Sequence, residues 1–428
     1  MDISDGHHKL MPAKKFHVRQ AAVSALHAWA RGQDYAESLI DRHAQRRQLS
    51  TSDRALLQAI LYAVLRHRRL LDHWITKVRH GHLDPETRDV LRVGLAQLLL
   101  LDIPEHAAVN ETVECGRANV RGLINAVLRR AIEMRNKLLS EVDHVSPAIA
   151  HSHPDWLFNR WVQRFGKQGA TALMAWNNRP ASTFLRVNPL VEALGLPMPD
   201  GPPPGMPVEG AEGFYELTSA QPPSAWLAGG AGYIQDPATR HAVELLAPQP
   251  GERILDACAA PGGKAFLIAA AQGDGSSLVC TDSNERRLPR LAENLSRLHV
   301  AGVEVAAHDW LMAAPAEWHG KFDGILLDVP CSNTGVMRRR VDVRWRLKAA
   351  DIASLAAIQR RIVENALVSL KPGGRLVYST CSIEPEENED LIAAVLADHP
   401  DFRGGDSRVV LPHVDGTDGA FAAVLHYP

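Results

Sequence analysis

Two cysteines in this chain occupy turns where a thiol could act on a bound substrate. Cys331 closes Asp328-Val329-Pro330-Cys331 and Cys381 sits in Ser379-Thr380-Cys381-Ser382, 50 positions later. Each turn follows an apolar run that reads as a buried strand. A third feature precedes them. It is the glycine-rich turn Asp256-Ala257-Cys258-Ala259-Ala260-Pro261-Gly262-Gly263-Lys264, with an acid, Asp282, 20 positions beyond Gly262. Glycines let a ligand approach the backbone at a strand-to-helix turn, and an acid at that distance can accept hydrogen bonds from ribose hydroxyls. Ligands of open α/β sheets bind beyond the carboxyl ends of the strands, so thiols on other strands of the sheet would face the same nucleoside cofactor. One nucleoside cofactor and two nucleophilic thiols point to covalent chemistry on a base.

Competing uses of these residues are weaker. The turn lacks G-x-G-x-x-G spacing, and Gly263-Lys264 is followed by Ala265 rather than the Ser or Thr of a P-loop. The other three cysteines, Cys115, Cys258 and Cys280, read as small packing residues, although Cys258 also lies in the cofactor turn. With no C-x-x-C pair and no H-E-x-x-H among 20 histidines, neither a disulfide framework nor a metal site is expected.

The elements that must hold these turns begin near Gly232. Short β-rich runs at Arg253–Asp256, Ser277–Thr281, Val303–Ala306, Phe322–Leu327 and Arg375–Ser379 alternate with helical patterns such as Arg286–Leu298 and Ala353–Leu370. Such alternation predicts a mostly parallel sheet covered on both faces, with Ala420–His426 able to add an antiparallel strand. From Lys14 to about Leu139, by contrast, apolar residues recur at helical spacing, as in Leu57, Ile60, Leu61 and Val64. Helix starts are marked there by Ser52-Asp53 and Asp84-Pro85. Between these regions, Pro154–Arg164 reads as a helix, Thr183–Val187 as a strand, and the six prolines from Pro197 to Pro207 as a loop. The predicted domains are residues 1–145, helical; 146–230, small and mixed; and 231–428, the α/β domain.

Composition fits this division. At 428 residues, 46% hydrophobic and 22% charged, the chain is long enough for two or three ordinary globular domains. Met1–Gln20 lacks the apolar core of a signal peptide, and the longest aliphatic run, Leu98–Leu101, is far short of a membrane span. A cytoplasmic protein is expected. Net charge is only -2, but residues 1–150 carry 22 Lys+Arg against 17 Asp+Glu. The clusters Arg42, Arg46, Arg47 and Arg66, Arg68, Arg69 could meet phosphates or form a solvated helical face, and charge alone does not choose.

These stretches resemble the RNA cytosine-5 methyltransferases that use S-adenosylmethionine, and among them the bacterial Fmu/Sun type acting on small-subunit ribosomal RNA. The likeness rests on Asp256–Lys264, Asp328–Gly335, Lys371-Pro372-Gly373-Gly374, Tyr378–Ser382 with Glu384–Glu389, and Leu411–Gly419. In the amino-terminal half it rests on Ala107–Glu111 and Asn125–Arg130, so it covers nearly the whole chain. Val329 stands where the family usually has Ala, and Asn333 where it usually has Gly. The resemblance implies an α/β, Rossmann-like class I S-adenosylmethionine methyltransferase domain preceded by an all-helical NusB-like RNA-binding domain and a small α+β subdomain. It further implies Cys381 as nucleophile, Cys331 as helper in resolving the adduct, and Asp328 at the edge of the cytosine. The cofactor would be held by Cys258, Ala259, Ala260, Pro261, Gly262, Gly263, Lys264, Asp282, Asp309 and Asp328. Lys264 could instead reach the target nucleotide. Arg338, Arg339, Arg340 and Arg344, which follow the Cys331 loop, could hold RNA phosphates or form a solvated face. The implied partner is ribosomal RNA, with no membrane, and the protein is expected to be a monomer. A transfer RNA methyltransferase and a non-catalytic assembly factor with the same fold are the alternatives; the NusB-like segment disfavours the first and the intact thiols the second.

Overall fold

The structure, a computed structural model, describes residues 18–32, 34–219, 222–273 and 277–428. The start of the first helical pattern, Lys14 to His17, lies outside them. The chain divides into two compact units that meet in sequence at Phe158 and Asn159.

The first unit is helical, and its longer helices span Val18–Ala30, Ala36–Arg46, Thr51–Arg66, Arg68–Val78, Pro85–Leu99, Glu105–Cys115 and Arg121–Glu133. The predicted start at Ser52-Asp53 falls slightly late. Ser50 is the cap, its hydroxyl accepting from Asp53 N at 3.1 Å, so the helix opens at Thr51. Asp84 caps the fifth helix as expected, accepting from Thr87 N at 3.0 Å with Pro85 in the first turn. Leu57, Ile60, Leu61 and Val64 are buried together with Trp74, Leu91 and Leu95. Much of the arginine charge considered for phosphates is committed internally. Arg69 forks onto Asp155 at 2.8 and 3.0 Å, Arg42 pairs with Asp34, and the Arg66 and Arg68 guanidinium groups lie 5.3 Å over Tyr62 and Trp29 respectively.

The second unit carries two sheets. The small one has the order β2-β3-β1-β4, from β1 Phe184–Val187, β2 Met206–Pro207, β3 Phe214–Glu216 and β4 Gly232–Ile234, all pairs antiparallel. The proline-rich stretch read as a loop therefore ends in a strand. Pro207 is tolerated because β2 is at the edge, where a missing N–H breaks no interior ladder.

The large sheet comprises β5 Arg253–Asp256, β6 Ser277–Asp282, β7 Val303–Ala307, β8 Phe322–Asp328, β9 Leu370–Thr380, β10 Arg403–Val410 and β11 Ala420–His426. Among the described residues its order is β10-β11-β9-β8-β5-β6-β7, with β5 to β9 parallel and β10 and β11 antiparallel. Alternate residues of each strand feed opposite cores. Leu255, Ile325, Leu327 and Tyr378 pack on one face, and Ile254, Leu326 and Val377 on the other. Burial on both faces explains the near-continuous apolar runs read from sequence. Strand β10 was not read at all, because Arg403-Gly404-Gly405-Asp406-Ser407-Arg408 is exposed, has no alternation, and bulges between Gly404 and Ser407. The last long helix runs Ala349–Leu367, opening before the expected Ala353 because Asp351 accepts from Lys348 N at 2.9 Å.

Candidate active site

Strand order decides which turns meet. Strand β8 lies between β5 and β9, and Asp328 at its end is in register with Ser379 of β9. The two thiol-bearing turns therefore leave adjacent parallel strands at the same height. The Cys331 and Cys381 sulfurs stand 3.3 Å apart, both as free thiols. The hydrogen bond to Cys381, followed by burial, holds the Cys331 thiol well above the usual range.

The Cys331 loop is shaped by a residue in left-handed conformation. Asn333 has φ 59°, a region open to Gly and, among other residues, chiefly to Asn and Asp, which accounts for Asn in a position where the family has Gly. Its side chain is used: Nδ2 donates to Cys331 O at 2.7 Å and Oδ1 lies 3.3 Å from the Cys381 sulfur. Gly335 has no alternative, since a Cβ there would lie 2.6 Å from Cys381 O and 2.8 Å from Gly419 Cα. Through Gly335 N to Cys381 O at 3.0 Å, and Gly419 N to Gly335 O at 2.9 Å, the Asp415–Gly419 segment is joined to both thiol turns.

Charge is concentrated on the neighbouring strand end. Lys264, in the first turn of helix Gly263–Gln272, donates to Asp328 Oδ2 at 2.7 Å. Burial opposes the Lys264 charge, but the Asp328 carboxylate outweighs it and the ammonium is held above its ordinary range. Lys264 and Asp328, expected to contact cofactor and base, thus hold each other. Asp256 is fully buried beside them, and burial, then repulsion from Asp328, pushes its carboxyl up to about 7. Asp282 is also occupied: Oδ2 accepts from Ala260 N at 3.3 Å and from Arg287 at 3.0 Å, Oδ1 from Asn284 N at 2.9 Å. Asp309 lies two residues past β7, exposed, with Oδ1 accepting from Leu311 N at 3.0 Å. Burial raises the Cys258 and Cys280 thiols, and pushes Cys115 up to about 12, as suits unreactive packing residues.

Three of the four arginines assigned to RNA phosphates are not available for them. Arg338 and Arg344 are buried, Arg344 donating to Asn178 Oδ1 at 2.6 Å and Asn177 O at 3.0 Å. Arg339 bridges Asp236, at 2.8 Å, and Asp418. The run Arg338-Arg339-Arg340 could form one solvated face, but the turn after the 3-10 helix Thr334–Val336 leaves only Arg340 exposed. Sequence reading also passed over Glu387, a buried carboxylate under both thiol turns, because an acid in a Glu-rich stretch carries no sign of burial.

An acid at the end of β6, a glycine turn opening a helix beside it, and the buried Asp256 carboxylate with no side-chain hydrogen-bond partner among the described residues together suit a ligand with ribose hydroxyls and an ammonium group. S-adenosylmethionine has both. This fold and site define an S-adenosylmethionine-dependent methyltransferase. Residues 243–426 match the family described as 16S rRNA methyltransferase RsmB/F, residues 17–133 the NusB family, and residues 153–192 the ferredoxin-like domain of RsmF/B-like methyltransferases. Ribosomal RNA small subunit methyltransferase B of Vibrio cholerae is 38% identical over 438 residues, covering 95% of this chain and 97% of that protein. The protein of that name from Klebsiella pneumoniae is 38% identical over 413 residues, covering 88% and 91%. The solved methyltransferase homologue from Pyrococcus horikoshii is 28% identical, covers 68% of this chain and 99% of its own, and superposes with a TM-score of 0.57. The chain belongs to the ribosomal RNA small subunit methyltransferase B family.

Loss of the Asp282 carboxylate is expected to weaken S-adenosylmethionine binding by about 1 to 3 kcal/mol, the cost of stranding hydroxyl donors. Calorimetry on Asp282→Ala reads this directly, and unchanged affinity removes Asp282 from the cofactor site.

Proposed function

We propose that this protein methylates carbon 5 of a cytosine in small-subunit ribosomal RNA, with Cys381 adding covalently to carbon 6 and Cys331 assisting release. The observation that carries the reading is the pair of thiols 3.3 Å apart at the ends of adjacent strands, next to the Lys264–Asp328 pair. The names of its relatives support ribosomal RNA as the substrate.

Carbon 5 of cytosine is a poor nucleophile because the ring is electron-poor. Addition of the Cys381 thiolate at carbon 6 moves electron density to carbon 5, which then behaves as an enamine carbon. Bound S-adenosylmethionine supplies an electrophilic methyl group. Asp328, paired with Lys264, has its second carboxylate oxygen left for the base edge at N3 or the exocyclic amine, where it stabilises charge on the adduct. Cys331, after giving up its own proton to solvent, then takes the proton from carbon 5 and returns to the thiol; the electrons of that C–H bond form the C5–C6 double bond, and the C6–S bond breaks to return Cys381 as thiolate. The pairing of the sulfurs suits this order. The Cys331 thiol is raised first by its hydrogen bond to Cys381 and then by burial, so Cys381 is the thiol free to attack first. A cytosine within a duplex hides carbon 6, so the target base must be unpaired or flipped out.

Residues 1–145 and 146–230 are assigned to holding the RNA, and 231–428 to catalysis. Ser146–Pro428 alone is expected to bind cofactor while losing affinity or selectivity for the RNA. Binding measured across a salt series tests this, and equal affinity of the two forms at every salt concentration contradicts an RNA role for the helical domain. The function itself is tested by tritiated methyl transfer to an unmodified small-subunit ribosomal RNA transcript, followed by bisulfite mapping. A single protected cytosine is the expected result, and methylation at another atom or only of transfer RNA overturns the reading.

A further inference from the structure

Beneath the two thiol turns a single carboxylate joins them. Glu387, in the short 3-10 turn Pro385–Glu387, is completely buried, and its two oxygens receive donors from both turns. From the Cys331 side, Ser332 N donates to Oε1 at 2.8 Å and the Ser332 hydroxyl to Oε2. From the Cys381 side, the Ser382 hydroxyl donates to Oε2 at 2.5 Å. The fourth donor comes from the helix Ala349–Leu367: Gln359 Nε2 reaches Oε1 at 2.8 Å and Pro330 O at 2.9 Å. The Tyr378 hydroxyl, from β9, donates to Glu387 O at 2.6 Å, so the backbone of the carboxylate is itself anchored to the sheet. Ser332 and Ser382 are the residues immediately after the two cysteines, and their hydroxyls, 3.0 Å apart, share this acceptor.

We propose that Glu387 is a positioning residue for the two-thiol reaction, holding the Cys331 and Cys381 turns at the separation that lets one thiol attack and the other resolve. The inference rests on the reading of Cys381 and Cys331 given above. The chemistry of the site favours a carboxylate over any neutral side chain. Four donors converge on two oxygens, and a carboxylate offers acceptor sites to all of them, whereas a carboxamide presents its own N–H donors to one side. Neither Glu387 oxygen is hydrogen-bonded to a sulfur, so apart from its charge, which helps raise the Cys331 thiol, the residue acts through the serines and not on the substrate.

The test pairs kinetics with a direct reading of thiol proximity. Glu387→Gln keeps the shape and removes half of the acceptor capacity. With an unmodified small-subunit ribosomal RNA transcript and tritiated S-adenosylmethionine, its KM for either substrate should stay within about threefold of wild type while kcat falls on the order of 30-fold or more, as expected when geometry rather than binding is lost. Phenylarsine oxide, which condenses with two adjacent thiols to form two As–S bonds and release water, should be captured by the wild-type pair and much more weakly by the variant. Where Glu387→Gln does not fold, Ser382→Ala decides, with kcat expected to fall about fivefold and KM unchanged. Wild-type kcat, or a reduced kcat with undiminished arsenical capture, overturns the proposal. Because the arsenical reads only the spacing of the sulfurs, it tests Glu387 even if wild-type protein methylates no cytosine, a result that would instead overturn the proposed function.

Discussion

Cys381→Ala is expected to fold, to bind S-adenosylmethionine and RNA, and to transfer no methyl group. The side chain is only partly buried at the end of β9, so removing one sulfur leaves neither a large cavity nor an unpaired buried charge. The proposed mechanism, however, has no other route: without addition at carbon 6, carbon 5 stays electron-poor and cannot attack. For a residue that forms the covalent intermediate, a loss on the order of 10⁴-fold or more in kcat is the scale set by other nucleophile deletions. Scintillation counting of tritiated RNA measures it, alongside calorimetry for the cofactor. Robust incorporation by this variant would transfer the nucleophile to another residue, with Cys331 the first to examine at 3.3 Å.

The companion variant should fail at the opposite end of the reaction. On the proposed mechanism, addition and methyl transfer remain possible in Cys331→Ala, but the base assigned to the carbon 5 proton is missing. The C6–S bond therefore persists, and a covalent RNA–protein adduct accumulates as a slower, nuclease-sensitive band on a denaturing gel. Cys381→Ala should show no such band. The geometry gives this contrast its force: the sulfurs are neighbours, so a band in one variant and not the other separates two roles that distance alone would confuse. Trapping only in Cys381→Ala exchanges the roles, and trapping in neither withdraws both. Cys331 is also buried and hydrogen-bonded into a loop that Asn333 closes, and circular dichroism on the variant separates lost chemistry from a lost loop.

What the sequence alone determined was local. Glycines before a helical pattern mark the cofactor turn, an Asp-Pro pair marks a helix start, and continuous apolar runs mark strands buried on both faces, because backbone preference and periodicity are properties of neighbouring residues. Cysteines that directly follow such runs therefore place Cys331 and Cys381 at strand ends. Their partners were another matter. That Lys264 pairs with Asp328 and that Glu387 joins two serines 50 positions apart follows only from the adjacency of β9, β8 and β5, and that Arg339 is held between Asp236 and Asp418 only from the tertiary placement of the segments after β4 and before β11. Residue type says that a carboxylate or guanidinium can bond, not with what. Buried Arg344 and exposed Arg340 belong to one short arginine-rich stretch, and a charged side chain is buried only where a distant segment happens to offer it acceptors. The exposed strand β10 likewise exists because β11 presents a free edge to it, which no pattern within Arg403–Val410 could announce.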